Sequence, residues 1–276
     1  MIKLFSTYSV KCYFVRGGKV TIKSWEKFVS AEDSSEQGKL STKLNCFPAM
    51  SNFNGKKYSL SCINHLQSKT SFVLLDAASF VSTNYLDLTT FTPDFVTLSF
   101  YKMFGYPTGL GALLIRNRSA NILNKHYFGG GTVDLALVRK NLHFSRKSIS
   151  QMFEDGTVDY LGKTFDYFKR FQHLIFTFQG IISLISGFET LHKVPGGIKS
   201  ISLQTFNLAN YAFHQLSLLK HFNDSSVVRF YCEEDAYERV DCYGGVVNFN
   251  LLTSEGSYIG FSALKVLCQM NNIILR

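Results

Sequence analysis

The sequence predicts an α/β protein, with a mostly parallel sheet in the first part of the chain and a smaller α+β part behind it. Residues 72–75 form a continuous apolar run, as expected for a strand covered on both faces, and residues 94–102 repeat the pattern. Residues 203–222 instead indicate a helix, because apolar side chains recur there at helical spacing. These side chains are Leu203, Phe206, Leu208, Tyr211, Leu216 and Leu219.

The other elements follow in order along the chain. Residues 31–43 are polar and rich in serine, which predicts a loop or linker. Residues 81–93, between the two clearest strands, are too few for a crossover helix and predict a short extended connection. A helix is predicted at 262–270, with Ser262 as its cap. The predicted strands are 44–47, 72–80, 94–102, 112–115, 227–231 and 246–251.

Composition limits the class of protein. An apolar content of 46% with 18% charged residues is typical of a folded protein and excludes a disordered chain. The net charge is +9, but the basic residues are scattered, so we expect no nucleic-acid partner. We expect no membrane association, because no apolar stretch is long enough to span a bilayer. Without a secretory signal, the sequence predicts a cytoplasmic protein.

The cysteines are predicted to be free thiols. Six are present without a C-x-x-C pair, and the chain lacks the dense framework of a disulfide-stabilised domain. Cys62 and His65 have a C-x-x-H spacing, but no second pair completes a zinc site. We therefore expect no metal centre.

Two apolar runs end in charged residues, Asp76 after the first and Lys102 after the second. Ligands of α/β sheets bind outside the carboxyl ends of strands. A lysine can form a Schiff base with pyridoxal 5′-phosphate (PLP), and a carboxylate can keep the pyridine nitrogen of PLP protonated. Asp76 and Lys102 therefore suit the two ends of one PLP ring. Spacing alone favours a plainer alternative, in which Asp76 caps a turn and Lys102 is a solvated loop residue.

Four stretches of sequence carry a resemblance to a known family. They are DAASFVSTNYLDLT at 76–89, PDFVTLSFYKMFGYPTGLGALLIRN at 93–117, YFGGGT at 127–132 and FEDGT at 153–157. Together they resemble the molybdenum cofactor sulfurases, which belong to the class-V aminotransferase group alongside the cysteine desulfurases. The resemblance covers most of residues 44–161 and, more loosely, 180–276. It implies the PLP-dependent transferase fold type I, incomplete at both ends.

The resemblance implies roles for single residues. Lys102 would be the Schiff-base lysine, and Asp76 would pair with the pyridinium nitrogen. Asn52 would hydrogen-bond the ring hydroxyl, and Ser99 would contact the cofactor phosphate.

Four further positions have less definite cofactor contacts. Tyr101 stands where the desulfurases commonly have His, and Ser79 stands where they commonly have Gln or His. Thr132 and Thr157 lie in motifs near the phosphate and would reach the neighbouring subunit's site, since this fold usually forms a homodimer. The alternative for both threonines is a tight glycine-rich turn.

The same resemblance implies a reaction. L-cysteine would bind on PLP, Lys102 would move its α-proton, and an enzyme thiolate would attack the substrate sulfur and release L-alanine. The sulfur would pass to the molybdenum cofactor, which serves xanthine dehydrogenase and aldehyde oxidase. Two alternatives remain open: a cysteine desulfurase for iron–sulfur assembly and a catalytically dead binding or dimerisation fragment. Tyr101 argues against the first. The presence of Lys102 and Asp76 argues against the second, whereas the incomplete ends favour it.

The sequence departs from the family pattern at both ends. The acceptor cysteine should follow an Arg-Thr-Gly motif, and Arg276, a predicted substrate-binding residue, would be its arginine. The nucleophile would then lie beyond the chain, since Cys268 is expected in a helix core. The resemblance also places the turn for the PLP phosphate before residue 1, so we expect that turn outside this sequence. We therefore expect the isolated chain to be inactive.

A third departure is internal. Residues 162–179 interrupt a stretch that is continuous in the family, begin with Gly-Lys and end with Phe-Gln. We hypothesise a retained in-frame intron, with a family-specific insertion as the alternative. The predicted organisation is a partial N-terminal segment and loop (1–43), a PLP-binding large domain with this insert (44–200) and the start of a small C-terminal domain (201–276).

Overall fold

The computed structural model describes residues 42–275, except 106–109, 124, 126–127, 130, 141, 154–177 and 234. The described residues form two compact units: 42–49 with 59–195, and 50–58 with 196–275. The predicted domain boundaries at 43/44 and 200/201 stay predictions, because this division falls after residue 195 and assigns residues 50–58 to the second unit. Most of the hypothesised insert lies outside the described residues.

The first unit is built on a four-stranded sheet. Its strands, in spatial order, are β1 (Lys43–Pro48), β2 (Ser71–Asp76), β3 (Phe95–Ser99) and β4 (Gly111–Ile115). β1, β2 and β3 are parallel, and β4 is antiparallel to β3. Val73 and Leu75 of β2 are fully buried, as the continuous apolar run predicts. The predicted α/β fold with a mostly parallel sheet is confirmed.

Four α-helices and a hairpin accompany the sheet in the described part of this unit. They are α1 (Cys62–Leu66), α2 (Phe100–Phe104), the hairpin β5 (Val133–Ala136) and β6 (His143–Ser145), α3 (Ile149–Phe153) and α4 (Phe178–Lys193). The connection from β2 to β3 contains a single 3₁₀ turn, Phe80–Ser82, and no α-helix. A crossover helix is absent there, as predicted, but the connection consists of the 3₁₀ turn and further turns rather than the extended segment predicted.

Two predicted strands extend too far. β2 ends at Asp76 rather than at residue 80, and β3 ends at Ser99 rather than at residue 102. The backbone of Ser99 is still extended, and helix α2 begins at the next residue. The helix ends at Gly105, which adopts the left-handed conformation (φ 76°) and donates its N–H to the carbonyl of Tyr101. Lys102 therefore lies on a short helix, not on the end of a strand.

A fully buried carboxylate, Asp94, ties the start of β3 to its neighbours. Its backbone N–H donates to the carbonyl of Val73 (3.0 Å), and its Oδ2 accepts the N–H of Val73 (2.9 Å). Gln67 donates to the same oxygen (2.7 Å). Oδ1 accepts the hydroxyl of Ser119 and pairs with the guanidinium of Arg118 (2.8 Å). The carboxylate thus joins β2, β3 and two connecting segments.

These contacts decide the ionisation of Asp94. Burial alone would raise the pKa of its carboxyl, but the hydrogen bonds from Ser119, Val73, Gln67 and Arg118 outweigh burial and hold the pKa below its ordinary value. A folded-state pKa below the unfolded value stabilises the protein above the unfolded pKa. This stabilisation is lost as the pH falls through the folded pKa.

The second unit has an aromatic core. It contains the antiparallel strands β7 (Val228–Phe230) and β8 (Phe249–Leu251) and the helices α5 (Gly197–Ser217) and α6 (Phe261–Met270). Phe206 and Ala209 of α5 pack with Ala236, Tyr237 and Tyr243. This unit is the α+β part predicted behind the sheet.

The helix predicted at 203–222 is present as α5, although it begins earlier and ends at Ser217. On α5, Phe206 is buried, but Leu203, Leu208 and Tyr211 are each more than half exposed. Two details predicted for α6 are wrong. α6 begins after Gly260, so Ser262 is not its cap. Cys268 is partly exposed on α6 rather than in a core.

None of the described helices combines the length and apolarity needed to cross a membrane. No cluster of three or more His, Cys, Asp or Glu side chains that could hold a metal ion occurs among the described residues.

We predict that Asp94→Asn lowers the free energy of unfolding by about 2 kcal/mol at pH 7, because the buried donors lose a charged acceptor while Arg118 can still reach water. The difference in unfolding free energy between wild type and variant should become smaller below about pH 4, where the contribution of Asp94 is lost. Urea unfolding across pH measures both quantities. Glu189→Gln, at an exposed position of α4, is the control for removing one charge. An equal difference in unfolding free energy at pH 3 and pH 7 would contradict the stabilising role of the ionised Asp94 carboxylate.

Candidate active site

Asp76 is the last residue of β2 and is held at the carboxyl end of the sheet. It lies opposite Thr97 of β3 in the parallel register. Its Oδ1 accepts the N–H of Ala78 (3.0 Å) and the hydroxyl of Thr97 (3.2 Å). Its backbone carbonyl accepts the N–H of Ala49 (2.8 Å). The side chain is partly buried, so a ligand could reach it.

The side chain of Lys102 extends from α2 to the segment that follows Asp76. Its Nζ donates to Oγ of Ser79 (2.8 Å), three residues beyond Asp76. Ser79 itself precedes the 3₁₀ turn, and its carbonyl accepts the hydroxyl of Ser82 (2.7 Å). The structure therefore brings Lys102 to the loop that begins at Asp76.

Aromatic contacts with α4 hold helix α2 in position. Phe100 and Phe104 lie four residues apart, on one side of α2. Both pack edge-on against Phe188, with ring centroids 6.3 and 5.0 Å apart. A Cβ on Gly187 would lie 2.9 Å from Cγ of Phe104, so this approach requires a glycine. These contacts orient the helix that carries Lys102.

Three other residues predicted for the site lie in this unit. Ser99 precedes α2 and makes no side-chain capping bond, and Tyr101 lies partly buried within α2. Thr132 is almost fully buried, and its hydroxyl donates to the carbonyl of Gly129 (2.8 Å). Its carbonyl accepts the N–H of Arg146 (3.0 Å). These contacts agree with the glycine-rich turn considered as the alternative, and the phosphate role of Thr132 stays a prediction.

Asn52 lies exposed in the part of the chain, 50–58, that belongs to the second unit. Side-chain amides clamp its loop: Asn54 donates to the carbonyl of Tyr231 (3.2 Å), and Asn248 donates to that of Phe53 (2.9 Å). The role of Asn52 stays a prediction. Thr157 and Arg276 lie outside the described residues.

Thr97 was not predicted as a site residue. It is buried in β3, with 3% of its surface exposed, and contacts Asp76 directly. The sequence does contain a signal, because Thr97 is a hydroxyl residue within the apolar run of β3. A buried hydroxyl needs a hydrogen-bond partner, and the neighbouring strand ends in a carboxylate.

The carboxylate of Asp76 ends β2, and the amine of Lys102 lies on the helix that follows β3. The sequence profile of Aminotransferase class-V matches residues 18–170, more than half of the chain. This chain belongs to that family.

Within this family, the chain is similar in sequence to the molybdenum cofactor sulfurases. The chain is 42% identical over 266 residues to "Molybdenum cofactor sulfurase 3" of Aedes aegypti, 43% over 243 residues to "Molybdenum cofactor sulfurase" of Danio rerio and 41% over 242 residues to the human protein of that name. These matches cover 91%, 84% and 84% of this chain and 32%, 27% and 25% of the relatives. The resemblance that the motifs predicted is confirmed. The chain spans about a third or less of the length of these relatives.

Solved structures support the fold. A cysteine desulfurase from Escherichia coli superposes with a TM-score of 0.64 at 19% identity, over 86% of this chain and 49% of that one. The apo cysteine desulfurase from Thermococcus onnurineus gives 0.61 at 18% identity, over 85% and 49%. The predicted type I transferase fold is confirmed.

We predict that Gly187→Ala lowers the free energy of unfolding by about 1 kcal/mol, because overpacking against Phe104 exceeds the gain in helix propensity. Ser186→Ala, at the exposed neighbouring position of α4, is the matched control and should raise stability by about 0.5 kcal/mol. Urea unfolding measures both. An increase in stability for Gly187→Ala would show that α2 and α4 are not tightly packed.

Proposed function

We propose that this chain carries the PLP site of an enzyme that moves sulfur from L-cysteine to the molybdenum cofactor. The observation that carries the proposal is the convergence of Asp76 and Lys102 on one short segment at the carboxyl edge of the sheet. Membership of the class-V family and identity of about 40% to molybdenum cofactor sulfurases support it.

The described side chains fit PLP. The cofactor needs an amine for its aldehyde and a carboxylate for its pyridine nitrogen. Lys102 supplies the amine, held by Ser79. Asp76 supplies the carboxylate, and both donors described on it reach Oδ1. Oδ2 accepts no hydrogen bond from the described residues, so it is available to a ring N–H.

Each residue would have a distinct task. Asp76 would hold the proton on the pyridine nitrogen. Lys102 would bind the cofactor and, once displaced by the substrate amine, would move the proton at Cα of L-cysteine. PLP, when bound, supplies an electron sink for the bond broken at Cα. Ser79 would hold the lysine amine on the loop beside Asp76.

The thiol that accepts sulfur is not assigned to Cys62, which is buried, or to Cys232, which is partly buried. Burial raises the pKa of the Cys62 thiol to about 11 and also raises the pKa of Cys232. At neutral pH these raised pKa values keep both side chains as thiols, whereas attack on sulfur requires a thiolate. Sulfur delivery for xanthine dehydrogenase and aldehyde oxidase, and homodimer formation, belong to the same proposal and rest on the family resemblance.

We predict that PLP forms a borohydride-reducible bond with Lys102 of the purified chain, and peptide mass spectrometry would locate the resulting pyridoxyl group. Lys102→Ala should lose this adduct and leave only background labelling. Lys140, on the hairpin between β5 and β6, provides a second control, because Lys140→Ala should retain the adduct. No adduct on Lys102, or equal labelling of surface lysines, would favour the catalytically dead fragment.

We further predict that the PLP-loaded chain exchanges the Cα proton of L-alanine or L-cysteine with deuterated solvent, because this step needs Lys102 but no acceptor thiol. Proton NMR would follow loss of the Cα signal. Lys102→Ala should slow the exchange by about 100-fold or more. Exchange that proceeds equally in this variant would assign proton transfer to another group.

A further inference from the structure

A buried threonine supports the carboxylate proposed to meet the cofactor. Thr97, in the middle of β3, is the register partner of Asp76, the last residue of β2. The hydroxyl of Thr97 donates to Asp76 Oδ1 (3.2 Å), and the carbonyl of Thr97 accepts the N–H of Ala77 (3.1 Å). One residue of β3 therefore holds both the side chain of Asp76 and the backbone that follows it.

The two donors to Asp76 act on the same oxygen. Ala78 N–H and the Thr97 hydroxyl both reach Oδ1, from the following loop and from the neighbouring strand. A carboxylate turns readily about its Cβ–Cγ bond, since this torsion has a broad, two-fold profile. Two donors from different elements restrict that turn. Because Oδ1 is held by these two hydrogen bonds, the second oxygen, Oδ2, points in a fixed direction.

We infer that Thr97 is a positioning residue of the PLP site, which orients Asp76 so that Oδ2 meets the pyridine nitrogen. This inference rests on the proposed function. A carboxylate oriented before the cofactor arrives loses less freedom on binding, and binding is tighter for that reason. Thr97 would not contact the cofactor itself, because its side chain is buried in the sheet and its hydroxyl proton is donated to Oδ1.

Two substitutions separate the hydroxyl from the volume of the side chain. Thr97→Val keeps the shape but places a methyl group against Oδ1, whereas Thr97→Ser keeps the hydroxyl and removes a methyl group. The dissociation constant for PLP, from absorbance titration with borohydride trapping on Lys102, should rise about tenfold in Thr97→Val. It should rise less than about twofold in Thr97→Ser. Thermal unfolding of each variant reports its folding.

A double-mutant cycle separates action through Asp76 from a general structural effect. In an Asp76→Ala background, Thr97→Val should cause no further loss of PLP affinity, because the hydroxyl has no carboxylate to orient. A structural role would give the same loss in both backgrounds.

Three results would overturn the inference while the proposed function stands. They are a dissociation constant of Thr97→Val within about twofold of wild type, equal losses in Thr97→Val and Thr97→Ser, and additive losses with Asp76→Ala. Failure of the wild-type chain to form any adduct on Lys102 would instead overturn both.

Discussion

The register between β2 and β3 is the constraint on which the described site depends. It is pinned at one end by Asp94, which bonds both backbone polar groups of Val73, and at the other end by Thr97 and Asp76. A shift of one residue would turn each side chain of a strand to the opposite face of the sheet. Asp76 would then leave Thr97, and the carboxylate would no longer lie beside the segment that Lys102 reaches.

The position of the lysine depends on a second set of contacts. β3 runs directly into α2, so the register of the sheet also sets where this helix begins. Phe100 and Phe104 then dock on Phe188, and the absence of a side chain at Gly187 permits that approach. Carboxylate and amine are thus supported by different neighbours, and each can be perturbed separately.

Much of this arrangement could be predicted from sequence. The apolar runs identified the buried strands because central parallel strands bury both faces, and the family motifs identified Asp76 and Lys102. Strand ends could not be predicted, because residues 100–104 are apolar enough to continue a strand. Contacts with Phe188 make them a helix instead. Long-range partners decide such boundaries, and a local pattern does not contain them.

The same limit applies in the second unit. Apolar residues occur on several sides of α5, so spacing alone could not select the face occupied by Phe206 and Ala209. Thr97 escaped prediction for a related reason. Its importance comes from the side chain opposite it in the sheet, and that pairing requires the register.

A crystal structure of the chain grown with PLP would test the central claim most directly. We expect continuous density from Nζ of Lys102 to the cofactor. The ring nitrogen should hydrogen-bond the Asp76 oxygen that does not accept the hydroxyl of Thr97. A cofactor bound away from Asp76, or a ring nitrogen on the oxygen held by Thr97, would contradict the account.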